Sequence, residues 1–229
     1  MPETNKPRIL ITDIETSPNL AHVWGLWQQN VSLSQLMDTT SMISFAAKWY
    51  GERNVEFYSD HHDGHAKMVK QAHRLLDEAD IVVTYNGVTF DIKHFQREFI
   101  LAGMNPPSPF RNVDLLKVVK SQFRFPSNKL QHVSDQLGIG QKTPHTGHEL
   151  WVKCMAGDVK AWALMKKYNN VPGTQPARVV SPPPPAAGSG PTLAAPRQPV
   201  PYRGSTPIGT RPGALPDINS FFVNGGQPQ

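Results

Sequence analysis

Cysteine is almost missing from this chain of 229 residues, and Cys154 is the only one. A lone thiol excludes an internal disulfide and any cysteine-rich zinc site, and it fits a reducing compartment. Long apolar runs are missing too. No segment reaches the roughly 18 apolar residues of a membrane span, and the N-terminus has no signal-peptide apolar region. The expectation is a soluble, cytoplasmic protein with no membrane partner. Nor is there a strong excess of charge. Lys+Arg 23 against Asp+Glu 18 leaves a net +5, which permits a nucleic-acid partner without requiring one.

Acidic residues and pattern both run out after Tyr168-Asn169-Asn170. The last 59 residues, Val171 to Gln229, hold 14 of the 22 prolines and 8 of the 17 glycines, with four arginines and Asp217 as their only charges. Such a composition buries too little apolar surface to offset its ordering entropy. Residues 171–229 therefore read as a disordered Pro/Gly/Ala-rich tail, with polyproline character at Pro182–Pro185. A solvated tail is the plain reading of that proline run, and an SH3-type ligand is the alternative. Near its end, Ile218-Asn219-Ser220-Phe221-Phe222 resembles short peptides that plug sliding clamps, although Leu215 stands where such peptides start with glutamine.

Residues 1–170 are patterned as one domain. Arg8–Asp13 is a predicted strand. Ser41–Tyr50 and Asn54–Ser59 are β-rich and joined by a hairpin connection at Gly51-Glu52-Arg53-Asn54. His65–Ala79 has helical spacing. Asp80–Tyr85 is a second buried strand, and Phe90–Ala102 a helix ended by Gly103. Val113–Val119 is apolar and fits strand or helix. Asn128–Leu137 and Gly147–Asn169 are helical, the latter broken near Gly157. Three strands with hairpin-like connections are antiparallel, and a strand–helix–strand crossover adds a parallel neighbour. The layout is α/β: a ribonuclease H-like mixed sheet flanked by helices.

Asp13-Ile14-Glu15 closes the first apolar run. Positions i and i+2 of a strand share a face, so two carboxylates aim at one point. They repel unless a cation lies between them, and oxygen-only ligands suit Mg²⁺ or Mn²⁺. Tyr85-Asn86-Gly87-Val88-Thr89-Phe90-Asp91 follows the second buried strand and opens a helix, so Asp91 falls in a first turn where the helix dipole favours its charge. Asn86 and Gly87 allow close approach of a nucleotide. Phe90 is assigned to the core, with a base-stacking platform as the alternative.

These stretches, with Thr16 and with Tyr168-Asn169 at a helix end, resemble the DEDD (DnaQ-like) 3′–5′ exonucleases. The resemblance is to the tyrosine-type branch with its bacterial and phage members, and it spans about residues 7–170. It implies a metal-dependent nuclease of replication or proofreading. Two divalent cations, Mg²⁺ or Mn²⁺, would be held by Asp13, Glu15 and Asp91. Tyr168 would orient the attacking water, and Thr16, Asn86, Gly87 and Phe90 would contact the substrate. The implied partners are a single-stranded DNA 3′ end and a DNA polymerase or sliding clamp, and a phage-encoded member would act in the host cytoplasm. The sequence departs from the branch at one place. An aspartate belongs four residues after the tyrosine, and Pro172 stands there, without a ligand atom and at a cost of about 3 kcal/mol inside a helix. Impaired hydrolysis follows, or a catalytically inactive nucleic-acid-binding or polymerase-associated adaptor. The loss of pattern at Asn170 also fits a final helix replaced through a change of reading frame.

Other candidates are assigned plainer roles. His61-His62-Asp63-Gly64-His65 reads as a solvated loop with Asp63 capping the next helix. Asp114 is structural, and Asp158 caps or turns the chain. Trp24 and Trp27 are assigned to the core. Lys117, Lys120, Arg124 and Lys129, interleaved with Phe123 and Phe125, are either a solvated face or a contact for phosphates and bases.

Overall fold

The computed structural model describes residues 6–139 and 146–170. Seven strands and seven helices follow in order: β1 (Ile9–Thr16), β2 (Leu20–Ala21), β3 (Leu36–Asp38), β4 (Met42–Trp49), β5 (Glu56–Ser59), α1 (Asp60–Asp63), α2 (His65–Asp77), β6 (Ile81–Thr84), α3 (Asp91–Leu101), β7 (Arg111–Asp114), α4 (Leu115–Gln122), α5 (Leu130–Gln136), α6 (His148–Met155) and α7 (Val159–Asn170). The tail, with Pro172 and the clamp-like peptide, lies outside the described residues.

Five strands form one sheet in the order β5-β4-β1-β6-β7. β4 runs antiparallel to β1 and to β5, while β6 and β7 run parallel to β1 and to each other. This is the expected mixed sheet. The alternation of β1 divides the core in two. Leu10 and Ile14 join Phe45, Val82, Leu75, Phe95 and Phe99 under α2 and α3. Ile9 and Ile11 face Val83, Val113 and Leu115 at the start of α4. A third cluster gathers Ile43 with Leu150, Trp162, Met165 and Tyr168 of α6 and α7. Ile43 reaches it through a bulge: Glu15 pairs with Ser44, but Thr16 pairs with Met42. One extra residue thus turns the strand end towards the last two helices.

Several expectations need correction. β1 does not end at Asp13; it continues through Thr16, because β4 extends the ladder past both acids. Val113–Val119 is neither strand nor helix alone, since Asp114 caps α4 at the point where β7 ends. The His61–His65 stretch is no loop. Extended Ser59 accepts from the His62 N–H and starts α1, while α2 opens from Gly64 with no side-chain cap, so Asp63, the last residue of α1, does not cap it. A β2–β3 hairpin, unforeseen, interrupts the path from β1 to β4. It carries Trp24 and Trp27, which are 93% and 85% exposed instead of buried. Phe90 is likewise 41% exposed, its ring edge-on to His94 at 4.6 Å, and is not core.

Candidate functional site

β1 outruns its parallel neighbour, and that mismatch creates the site. The β1–β6 pairing is recorded only from Ile9↔Ile81 to Ile11↔Val83. Beyond it, the Ile14 N–H donates not to a strand but to Asp91 Oδ1, at 3.1 Å. Asp91 is the first residue of α3 and is 4% exposed. Its carboxylate therefore caps no helix of its own; it ties α3 to β1 between Asp13 and Glu15.

Burial raises the Asp91 pKa first, and the charge of Asp13 raises it further. The backbone N–H groups of Asp91 itself and of Ile14 pull the other way, Asp114 adds a smaller upward push, and the net value is about 8. Two neighbouring carboxylates, one almost dry, form a site that a proton or a cation would relieve. Their donors are all oxygen, which fits a hard divalent ion, and Mg²⁺ commonly takes one or two carboxylates together with substrate phosphate. Among the described residues, no three His, Cys, Asp or Glu side chains are gathered as a metal-binding group, and that includes Asp13, Glu15 and Asp91.

The turn before Asp91 is built by close contacts. Asn86 adopts φ 69°, its N–H donates to Asp114 Oδ1 at 2.8 Å, and its amide oxygen accepts from Thr89 Oγ1. Asn86 is exposed and Gly87 buried. A Cβ on Gly87 would collide with the side chain of buried Thr84, so the glycine lets the turn fold onto the end of β6. Asp114 also accepts from the Leu116 N–H, so one buried carboxylate joins β7, α4 and this turn.

α7 brings the last stretch to the same end of the sheet. Asn169 Nδ2 lies 3.5 Å from Ser44 Oγ, and Ser44 is the strand partner of Glu15. Tyr168 is 5% exposed, within the α6–α7 cluster and edge-on to Trp151 at 5.9 Å. Asp158, as expected, is a cap: its Oδ1 accepts from the Ala161 N–H. Thr16, half-buried, ends β1. Of the predicted site residues, Asp13 and Asp91 interact electrostatically, Glu15 shares the strand face of Asp13, and Phe90 and Asn86 line the exposed turn beside them. The Ile14 N–H and Ser44 were not foreseen. Neither carries a sequence signal, since one is backbone and the other is placed only by the β1–β4 register, which pairs it with Glu15.

The comparisons with known proteins fit this architecture. A family model described as RNase_H superfamily matches residues 11–170. No curated protein matches the chain in sequence. Among solved structures, the family B DNA polymerase from the hyperthermophilic archaeon Pyrobaculum calidifontis is similar, with a TM-score of 0.55 at 16% identity. The match covers 76% of this chain but only 24% of that polymerase. It speaks for the fold.

Proposed function

The chain belongs to the ribonuclease H superfamily, and from that premise we propose that it is a metal-dependent 3′–5′ exonuclease domain of the DEDD (DnaQ-like), tyrosine-type kind. Its substrate is a DNA 3′ end and its product a nucleoside 5′-monophosphate. One observation carries the proposal: Asp91 is buried against Asp13 at the end of β1, and burial with like charge raises its pKa to about 8. A purely structural carboxylate is seldom placed where another carboxylate raises its energy.

In this reading Asp13, Glu15 and Asp91 would hold two divalent cations, Mg²⁺ or Mn²⁺, their carboxylates drawing together on the ions. Cations in such a site lower the pKa of water and neutralise charge on the attacking and leaving oxygens. Asp91 keeps its place through the Ile14 N–H, and its carboxylate would have to be ionised to hold a cation. Gly87 admits the nucleotide close to the backbone. Tyr168 orients the water, on a helix anchored through Asn169 to Ser44.

Degradation of a labelled single-stranded oligonucleotide with Mg²⁺ or Mn²⁺ tests this. Wild type is expected to release mononucleotides from the 3′ end, and the Asp13→Ala variant to lose that activity. Equal rates would remove the catalytic assignment. Pro172, at the position of the branch's last aspartate, favours a second reading: a nucleic-acid-binding or polymerase-associated adaptor without hydrolysis. DNA binding in chelator, with no mononucleotide released by either protein, selects that reading.

A further inference from the structure

The only acid-free cationic stretch among the described residues that also exposes aromatic rings is tied at both ends to the candidate site. Residues 115–134 contain no Asp or Glu but include Lys117, Lys120, Arg124 and Lys129. All four are exposed, and none makes an ion pair with a described residue. Elsewhere the cations are often neutralised, as where Arg74 is bridged to Glu56 and Glu78 and Lys67 to Asp63. α4 buries Leu115 and Val119, which leaves Lys117 and Lys120, three residues apart, on its outer side. The chain then leaves the helix extended at Phe123. Phe123 and Phe125, two apart in sequence, place their rings 5.8 Å from each other, and Phe123 is 56% exposed.

The placement of this stretch is fixed by two hydrogen bonds. At its start Asp114 accepts from the Asn86 N–H at 2.8 Å. At its end the Tyr85 hydroxyl donates to the Asn128 carbonyl at 2.8 Å. Consecutive residues of the turn leading to Asp91 thus hold both ends of the excursion. The exposed tryptophans of the β2–β3 hairpin lack this character, since residues 17–37 contain no charged side chain other than His22.

We propose that α4 and the Phe123–Lys129 segment form a track for single-stranded nucleic acid, with the four cations on phosphates and Phe123 stacking on a base. Unpaired cations beside exposed rings are the combination that holds single strands without reading sequence. A duplex, whose bases are already stacked, would use the cations alone. The proposal rests on the nuclease reading for its direction, because the track feeds the strand towards Asp91.

Fluorescence anisotropy of a labelled oligothymidine in EDTA tests it without requiring hydrolysis. Each lost phosphate contact lowers the log–log salt slope by about 0.7. The double variant Lys117→Gln/Lys120→Gln is therefore expected to lose about 1.4 in slope and on the order of tenfold or more in affinity near 0.1 M salt. The charge-matched pair Arg53→Gln/Lys70→Gln, exposed on the β4–β5 turn and on α2, is expected to bind nearly as wild type. Phe123→Ala is expected to weaken single-strand binding by roughly fivefold or more, with duplex binding unchanged. Equal losses from the two charge pairs, or an unaltered single-strand affinity in Phe123→Ala, would overturn the track. These sites are exposed, and circular dichroism of each variant checks that it is folded. The two readings fail separately. Asp13-dependent hydrolysis with wild-type binding by the track variants sinks only the track. Track-dependent binding with no hydrolysis sinks only the nuclease.

Discussion

Substituting Asp91 with Asn separates the charge of this side chain from its hydrogen bond. Asn keeps an Oδ1 that can accept from the Ile14 N–H, but it cannot ionise. In wild type the Asp91 pKa is raised to about 8 by burial and then by Asp13. The folded state therefore binds a proton more tightly than the unfolded chain, whose carboxylate is ionised above the ordinary range. Stability is then greatest at low pH and falls as pH rises, by at most about 1.4 kcal/mol per pH unit, until the loss is complete above about pH 8. Over the whole interval this amounts to about 6 kcal/mol if Asp91 titrates alone, and about half that if Asp13 shares the proton. Urea denaturation in EDTA from pH 5 to 9 reads the effect. Asp91→Asn is expected to match wild type at the acid end and to exceed it by several kcal/mol at the alkaline end. Added Mg²⁺ should restore wild type at high pH, because a ligand bound only by the folded state stabilises it. Parallel pH profiles for the two proteins between pH 6 and 8 would refute the reasoning.

Three further outcomes test the surrounding frame. Gly87→Ala forces a methyl group onto the side chain of Thr84 and is expected to cost about 1–3 kcal/mol, measured by urea denaturation; a neutral result would mean that the turn relaxes freely. Asp158→Ala removes the cap of α7 and is expected to cost about 1 kcal/mol, while calorimetric Mg²⁺ stoichiometry stays as in wild type, because Asp158 is no ligand. Translation of the gene's other frames beyond the Asn170 codon is expected to return a Tyr-x-x-x-Asp continuation. If no frame contains one, the replaced-helix idea fails.

Much of the sheet was legible because strand order follows from local pattern. The apolar runs Ile9-Leu10-Ile11 and Ile81-Val82-Val83 pair in register with each other, and α2, between β5 and β6, supplies the crossover that makes β6 parallel to β1. The helical spacing over Met68, Ala72, Leu75 and Leu76 was equally direct, and all four are buried. Trp24 and Trp27 misled because residue type was taken for burial. Aromatic rings are buried on average, but a hairpin standing off the sheet has no second layer to cover them. Asp63 misled for a local reason. Asp is a good cap, but Asp63 lies inside α1, where its carboxylate accepts from the Ser59 N–H, and Gly64 opens the next helix. Within the candidate site, the sequence pointed to both Asp13 and Asp91, which interact, but not to their states. Asp13 and Asp91 look alike in a string, and only the overrun of β1 past β6 shows that Asp91 is the buried member of the pair.

The end of α7 bears on how many ions this arrangement can hold. Consecutive residues of a helix diverge by about 100°, so Tyr168 can enter the α6–α7 cluster while Asn169 turns to Ser44. A residue four positions after Tyr168 would return to the face of Tyr168, and in this sequence it is Pro172, which has no ligand atom. The carboxylates left to the proposed site are then Asp13, Glu15 and Asp91. Asp13 and Asp91 already repel each other, so a first cation gains from both, and it displaces the proton that Asp91 holds below about pH 8. A second cation finds one carboxylate fewer than a four-acid site offers and depends more on substrate phosphate. Calorimetry without DNA is expected to count one Mg²⁺ per chain, with affinity rising about tenfold per pH unit up to about pH 8 and then levelling. A single-stranded oligonucleotide with a non-hydrolysable 3′ linkage should raise the count to two. Two ions bound without nucleic acid, or an affinity indifferent to pH over that interval, would show that Asp91 is not the buried acid on which metal binding turns.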